Sequence, residues 1–361
     1  MSVFDLKLDD FPYSNPGFGR KIAVVAVGSP GSRIASQLSK ESRLLEHYVY
    51  VSCDEQDLAN ISKGERVLID VTGSGKSSPY TVRGQAYSKL SELRRNLADS
   101  KIVFIIAGLG GMTGSGLAPV IAKEASANGA VTVAILVMPY NFEKKKHFIA
   151  GLALKQVRKY ASGVIIIDND ELVDTTKPLV DEYSDINQKI ALALSKLLGN
   201  AEPHEFAVGL NNLVKFVKTE SFSVLCVDDC RERLSDHRQA VINAANHFEH
   251  TVDTSQAARS IVHLCTDKSV TMKELATAIG GLSSILGNGT MQIEYGLSAS
   301  YPPGTSTAVI MATGFPSTRF EQYDPIDMAL RQGGFNLEDD LETDSGLESL
   351  LPQAERDRAT T

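Results

Sequence analysis

The sequence predicts an α/β protein, with a doubly wound parallel sheet followed by a long central helix and a smaller α+β part. Three observations carry this. Nearly uninterrupted apolar runs recur at 21–27 (KIAVVAV), 48–52, 102–107, 131–138 and 164–167, with segments of helical periodicity between them. Strands apolar on both faces are what a parallel sheet covered by helices on each side requires. A long helix is then opened by Pro178, and Leu179, Tyr183, Ile186, Ile190, Leu194 and Leu197 repeat at helical spacing until Gly199 stops it. Beyond a junction loop at 200–205, strands near 222–227, 260–264, 291–297 and 308–312 mix with helices near 231–248 and 271–286. The expected organisation is an N-terminal arm (1–20), an α/β domain (21–177), the central helix (178–199), an α+β domain (200–315) and a tail (316–361).

Composition excludes several classes. The chain has 361 residues, with 44 acids against 36 bases and a net charge of −8. This acidity argues against a protein that coats nucleic acid. No apolar run approaches the roughly 20 residues needed to span a bilayer. The first residues show no basic stretch leading into an apolar core, so a cytoplasmic location is expected. Cys53, Cys226, Cys230 and Cys265 are scattered, which suits reduced thiols better than a disulfide framework. Between 337 and 348 stand Glu338, Asp339, Asp340, Glu342, Asp344 and Glu348 without a base, the pattern of a solvated acidic tail.

Residues 107–116 (AGLGGMTGSG) hold the most chemical information. Gly108, Gly110, Gly111, Gly114 and Gly116 follow a buried strand and lead into a helix, so backbone amides can approach an anion at the helix's positive end. Thr113 and Ser115 add hydroxyl donors. A strand, a glycine-rich turn and a helix in this order make a phosphate cradle and define a nucleotide-binding domain.

The run 110–116 (GGMTGSG) resembles the tubulin signature GGGTGSG, with Met112 in the third glycine position. The adjoining AGLGG, APV and NFE segments are similar to the FtsZ branch of that superfamily. Other motifs follow in the family's order. Gly28, Ser29, Gly31 and Ser32 stand in the first glycine-rich loop, and 53–58 (CDEQDL, with Asp54) resembles TDAQAL. Gly73, Ser74 and Gly75 resemble the third loop, near the γ-phosphate. Residues 139–143 (PYNFE) resemble PFxFEG, in which the glutamate, here Glu143, contacts the ribose. Residues 168–172 (DNDEL) resemble PNDKL, whose asparagine, here Asn169, meets the guanine side. Residues 311–315 (MATGF) are similar to the IATGF strand. Tyr183 and Asn187 occupy the helix positions of a guanine-stacking aromatic and an edge-reading amide. Physically, an aromatic one helical turn from an amide can stack on a flat base and bond its edge, although Tyr183 equally suits a core position. The resemblance runs from about 21 to 315 and implies GTP or GDP as ligand, with Mg²⁺ accompanying the nucleotide and no metal site of the protein's own. It also implies head-to-tail self-association.

Several departures fall where chemistry would occur. Ser29 and Pro30 interrupt the first glycine loop, and Pro30 removes an amide donor. Arg33 replaces a usual asparagine and supplies a charged donor instead. His147 stands where an arginine is common, beside the Lys144, Lys145 and Lys146 run. In the family a loop after the central helix presents acids to the neighbouring subunit's nucleotide. Here 210–216 (LNNLVKF) places Asn212 and Lys215 at those catalytic positions. An amide cannot take a proton from water, and a lysine would pair with phosphate. The expectation is therefore a nucleotide-binding scaffold of the cytoskeletal, membrane-remodelling or division type, with weak or absent hydrolysis. Two alternatives remain: an active GTPase recruiting Glu220 or Asp228, and a nucleotide-free partner of another FtsZ, an adaptor or a membrane complex.

Other signals carry less. Residues 70–77 mimic a P-loop, but Asp70 stands where glycine is needed and Pro79 follows. Gly28 and Gly31 alone lack the spacing of a dinucleotide fingerprint. His247 with His250, Cys226 with Cys230 and His263 with Cys265 lack a second pair at zinc spacing. Residues 323–332 are similar to the FtsZ tail peptide that binds adaptors, and equally to an ordinary terminal helix.

Overall fold

The computed structural model describes residues 21–42, 45–72, 78–173, 179–198, 210–230, 237–266, 270–287, 289–299 and 306–324, with backbone alone at 179–183, 211, 229 and 230. The expected arm, the loop containing Gly73, Ser74 and Gly75, the junction at 200–205 and residues 325–361 of the expected tail lie outside these residues; the start of that tail, expected from 316, is instead ordered, with a turn at Arg319–Tyr323 that buries Phe320.

The first half reads β1 (Ile22–Val27), α1 (Gly28–Glu41), β2 (His47–Ser52), α2 (Glu55–Ala59), β3 (Glu65–Leu68), α3 (Pro79–Ala86), α4 (Leu90–Leu97), β4 (Ile102–Gly108), α5 (Met112–Ala127), β5 (Val131–Met138), α6 (Lys144–Arg158) and β6 (Gly163–Asp168). It continues through α7 (Leu179–Leu197), α8 (Leu210–Val217), β7 (Phe222–Cys230), α9 (His237–Asn246), β8 (Arg259–Thr266), α10 (Met272–Ser283), β9 (Gln292–Ser298) and β10 (Ser306–Phe315).

The ten strands of the described residues form one sheet in the order β3-β2-β1-β4-β5-β6-β7-β10-β8-β9. From β3 to β7 every pairing is parallel, β10 runs antiparallel to both β7 and β8, and β9 is parallel to β8. Pairing of 164–166 with 222–224 carries the sheet from the α/β part into the α+β part without a break. The short β3, ERVL, is the strand that apolar runs did not reveal, because only Val67 of its four residues is buried. The chain to Tyr323 is one compact unit, and a second begins at Asp324.

Alternation along the strands divides the core. On β4, Val103, Ile105 and Ala107 face one layer with α5, α6, α9 and α10, while Ile102, Phe104 and Ile106 face the other with α1, α7 and α8. The predicted stripe of α7 holds, with Ile186, Ile190, Leu194 and Leu197 buried in the second layer. Burying a large aliphatic side chain stabilises the fold by about 1.5–3 kcal/mol, and both layers contribute such side chains.

Local signals set the helix starts. Ser78 caps α3 by accepting the Thr81 amide, with Pro79 in the first turn. Thr271 and Glu274 form a reciprocal capping box on α10. Pro119 lies inside α5 and has no N–H to give the Ser115 carbonyl; Arg83 Nη2 approaches that oxygen at 3.4 Å instead. Strand order reverses at β1 and β4, the switch point where doubly wound sheets bind ligands.

Candidate functional site at the sheet's switch point

Helices α1 and α5 start at the carboxyl ends of β1 and β4. Neither has a side-chain cap nor an acid in its first turn, so their amides point outward without an internal anion. Both open into a cleft of about 470 Å³, a size that accommodates a small ligand. Gly28, Ser29, Pro30, Arg33, Gly108, Leu109, Gly111, Met112, Thr113 and Gly114 line one side. Val137, Met138, Pro139, Tyr140, Glu143, Lys146, Asn169, Ile186 and Asn187 line the other.

The glycine loop is shaped by close backbone approach. Gly110 has φ +90 and donates its N–H to Ser115 Oγ at 2.8 Å, closing the turn. A Cβ on Gly114 would lie 1.9 Å from the Gly108 carbonyl oxygen, which excludes any side chain there. Ser115 therefore serves the loop from inside rather than lining the cleft.

The cleft brings together Gly28, Ser29, Arg33, Gly108, Gly111, Met112, Thr113, Gly114, Glu143, Asn169 and Asn187 from the sequence reading. Other candidates have different places. Gly31 packs where a Cβ would meet the Ile106 carbonyl oxygen at 2.3 Å, and Gly116 packs on Pro79 and Val82. Ser32 is buried. Asp54 is exposed and caps α2 through the Gln56 amide at 2.9 Å. His147 lies off the cleft wall: its ring stacks on Tyr323, with centroids 3.8 Å apart, and Nε2 lies 3.0 Å from the Tyr140 carbonyl oxygen. The aromatic pair and the hydrogen bond hold that ring, and the neighbouring Lys146 is the cation that lines the cleft on this side. Gly73, Ser74, Gly75 and the Tyr183 side chain lie outside the described residues.

That neighbour, Lys146, is a cleft-lining cation that the sequence does not single out from the lysine run at 144–146. It leans over the glycine loop, since a Cβ on Gly110 would meet its Cβ at 2.7 Å. Its Nζ pairs with Glu143 Oε1, while Glu143 Oε2 accepts the Tyr140 amide at 3.3 Å. Among the described lining residues, Arg33 and Lys146 are the cations and Glu143 is the acid. Uncapped amides, two cations, a carboxylate and two asparagines fit a nucleotide. The glycine loops, Arg33 and Lys146 would hold phosphates, Glu143 the ribose hydroxyls, and Asn169 and Asn187 the base edge.

The far wall is braced by distant residues. Asp168 is buried and accepts from Thr251 Oγ1 at 2.8 Å and from Arg319 Nη2 at 2.7 Å. Burial pushes its carboxyl upward, against the pull of the Arg319 charge. His247 bridges Glu171 Oε2 at 3.0 Å and Asp228 Oδ2 at 3.2 Å. Burial alone would lower the imidazole, but the hydrogen bonds and charges of Asp228 and Glu171 outweigh it and push it up to about 9.

Asn212 and Lys215 are exposed on α8. That helix ends against the first residue of β6, where a Cβ on Gly163 would lie 2.2 Å from the Val217 carbonyl oxygen. The cleft lies at the other end of this six-residue strand, roughly 17 Å away at about 3.3 Å per residue. The end of α8 that carries Lys215 therefore lies at the opposite end of β6 from the chain's own cleft, and neither Asn212 nor Lys215 lines it.

The architecture is the tubulin/FtsZ fold, with a cleft at the sheet's switch point. Residues 21–177 match the Tubulin/FtsZ family, GTPase domain. The cell division protein FtsZ 2 of Halobacterium salinarum is 25% identical over 262 residues, covering 70% of this chain and 66%, just under two thirds, of that protein. An FtsZ dimer from M. jannaschii superimposes with a TM-score of 0.70 at 23% identity, covering 81% of this chain and 88% of that one. CetZ2 from Haloferax volcanii, solved as a GTPγS-bound protofilament, gives 0.69 at 21% identity over 86% of this chain and 99% of that one. Matched segment, relatives and fold together support the FtsZ/tubulin superfamily. Among the described residues no helix is long and apolar enough to cross a membrane.

Proposed function

We propose that the protein is an FtsZ-like, guanine-nucleotide-binding scaffold that associates head to tail with itself and hydrolyses GTP slowly or not at all. The observation that carries this is the placement of two faces. One end of the sheet holds a cleft fit for a nucleotide; the other presents Asn212 and Lys215, exposed, where the resembling family has acids. In a head-to-tail stack, α8 of one copy would approach the cleft of the next, and Lys215 would neutralise phosphate charge there instead of activating water. Mg²⁺ would accompany the nucleotide. A cytoskeletal or membrane-remodelling scaffold, including one used in division, is the role this chemistry suits, in the cytoplasm and with adaptor or membrane-associated partners.

The second reading, an active GTPase with a recruited acid, narrows to Glu220. Asp228 is engaged by His247 at the cleft end of the sheet, whereas Glu220 is exposed beyond the end of α8. The third, a nucleotide-free partner, draws support from Pro30: a Cβ on Gly108 would meet its ring at 2.8 Å, so proline closely covers the glycine loop.

One preparation decides among them. Chromatography of the extracted ligand should give GTP or GDP, and phosphate release should stay near background at all protein concentrations. Lys215→Asp should raise release in proportion to assembly. Protein that carries and binds no guanine nucleotide defeats the proposal, and fast wild-type release abolished by Glu220→Gln installs the second reading.

A further inference from the structure

Beyond β10 the chain makes a single turn, Arg319–Tyr323, that contributes nothing to the cleft wall yet touches the loops that form its ribose and base side. Arg319 Nη2 donates to Asp168 Oδ1 at 2.7 Å and to Asp170 Oδ2 at 2.6 Å. The Asp170 carboxylate in turn accepts the Asn141 amide at 2.9 and 3.1 Å. One guanidinium thus ties the turn bearing Asn169 to the loop leading into Glu143. Four residues later, Tyr323 stacks on His147, at 3.8 Å and an interplanar angle of 9°, and His147 contacts the Tyr140 carbonyl oxygen at 3.0 Å. The turn itself is fixed by Phe320, fully buried, by the Arg319 amide bonding the Thr251 carbonyl at 3.0 Å, and by Glu321 paired with Arg158 at 3.1 Å.

We propose that Arg319 and Tyr323 form a clasp that sets the spacing of the ribose-side and base-side loops, so that nucleotide affinity depends on a segment that never meets the nucleotide. Arg319 is a positioning residue in this scheme. The inference rests on the nucleotide-binding reading above. Its chemical basis is one planar amino group of the guanidinium: Nη2 alone donates to both carboxylates, with its two N–H bonds fixed in direction by the plane, where a lysine ammonium would be free to rotate. Without it, Asp168 keeps a buried charge with less compensation, and Asp170 loses the partner that orients it toward Asn141.

The test titrates a fluorescent GDP analogue into wild type, Arg319→Ala, Arg319→Lys, Tyr323→Leu and, as a control ion pair remote from the cleft, Arg94→Gln. Amide hydrogen exchange is followed on the same proteins without nucleotide. Arg319→Ala should weaken binding about tenfold, as loss of a charged hydrogen-bond network implies. Lysine should restore part of it, Tyr323→Leu should cost about threefold, and Arg94→Gln should leave affinity unchanged. Exchange should accelerate at 139–143 and 168–172 while 108–114 keeps its protection. If Arg319→Ala does not fold, Arg319→Lys and Tyr323→Leu decide. Wild type that binds and variants that bind equally well overturn the clasp alone; wild type that binds nothing overturns the nucleotide reading as well. Exchange that accelerates equally in the glycine loop would mark Arg319 as a general stabiliser and also overturn the clasp.

Discussion

The two walls of the cleft are built by different physics. The proposed phosphate wall is backbone: two helix starts and a glycine turn, drawn from 28–33 and 108–114, with Ser115 closing the loop from five residues away. The wall proposed for the ribose and base is side chains on separate loops, and it is held by Thr251, His247 and Arg319, which lie 83, 76 and 151 positions from their partners Asp168, Glu171 and Asp168. A backbone cradle is shaped locally, and at Gly108, Gly110 and Gly114 it leaves no room for a side chain. The braced wall instead inherits its shape from the second half of the chain, which makes it the place where the rest of the molecule can bear on the ligand.

The sharpest way to break this contrast is Gly114→Ala. The new Cβ would sit 1.9 Å from the Gly108 carbonyl oxygen, so backbone must move on one side or the other. We expect a loss of about 3 kcal/mol in stability together with loss of bound guanine nucleotide, read by urea unfolding and by chromatography of the extracted ligand. Normal nucleotide content in a folded Gly114→Ala protein would show that the glycine loop is not the phosphate wall.

The braced wall should answer to pH. His247 is held at about 9, above its ordinary 6.5, so the folded state binds its proton more tightly than the unfolded state. The stability it adds is fully present below pH 6.5 and is lost as pH rises through 9. The displacement corresponds to about 3 kcal/mol, reduced to about 2 kcal/mol by solvent screening of a side chain 26% exposed. Urea midpoints of wild type and His247→Gln should therefore differ clearly at pH 6 and converge toward pH 10. A difference that stays constant over that range would remove His247⁺ as the brace.

This division also explains what could be read from residues alone. Parallel strands, the α7 stripe and the 107–116 turn declare themselves through neighbours in sequence, because apolar runs and strand-turn-helix order are local. Asp54 and His147, which the resemblance assigns to the nucleotide, are not among the cleft-lining residues; one caps α2 and the other is stacked on Tyr323. No local pattern marks Arg319 or His247 as partners of 168–171, since the contact exists only once the sheet has joined β6 to β7. Lys146 and His147 were separable only by geometry. Two adjacent residues on a helix point about 100° apart, and the sequence does not say which one meets the cleft.

Lys146 stands where the two walls meet, over Gly110 on one side and paired with Glu143 on the other. It is half-exposed, at 48%, so its ion pair alone is worth little. A phosphate brought into the cleft would compete with Glu143 for the ammonium, and a carboxylate so released would be free to accept from a ribose hydroxyl. Lys146→Ala should then lower guanine nucleotide affinity by about 1 kcal/mol, roughly fivefold, and flatten its salt dependence while leaving the urea midpoint unchanged. Lys145→Ala, one position away, should do neither. Equal effects from the two lysines would mean that the run acts as a diffuse positive field, and the junction between backbone wall and braced wall would have no single residue holding it.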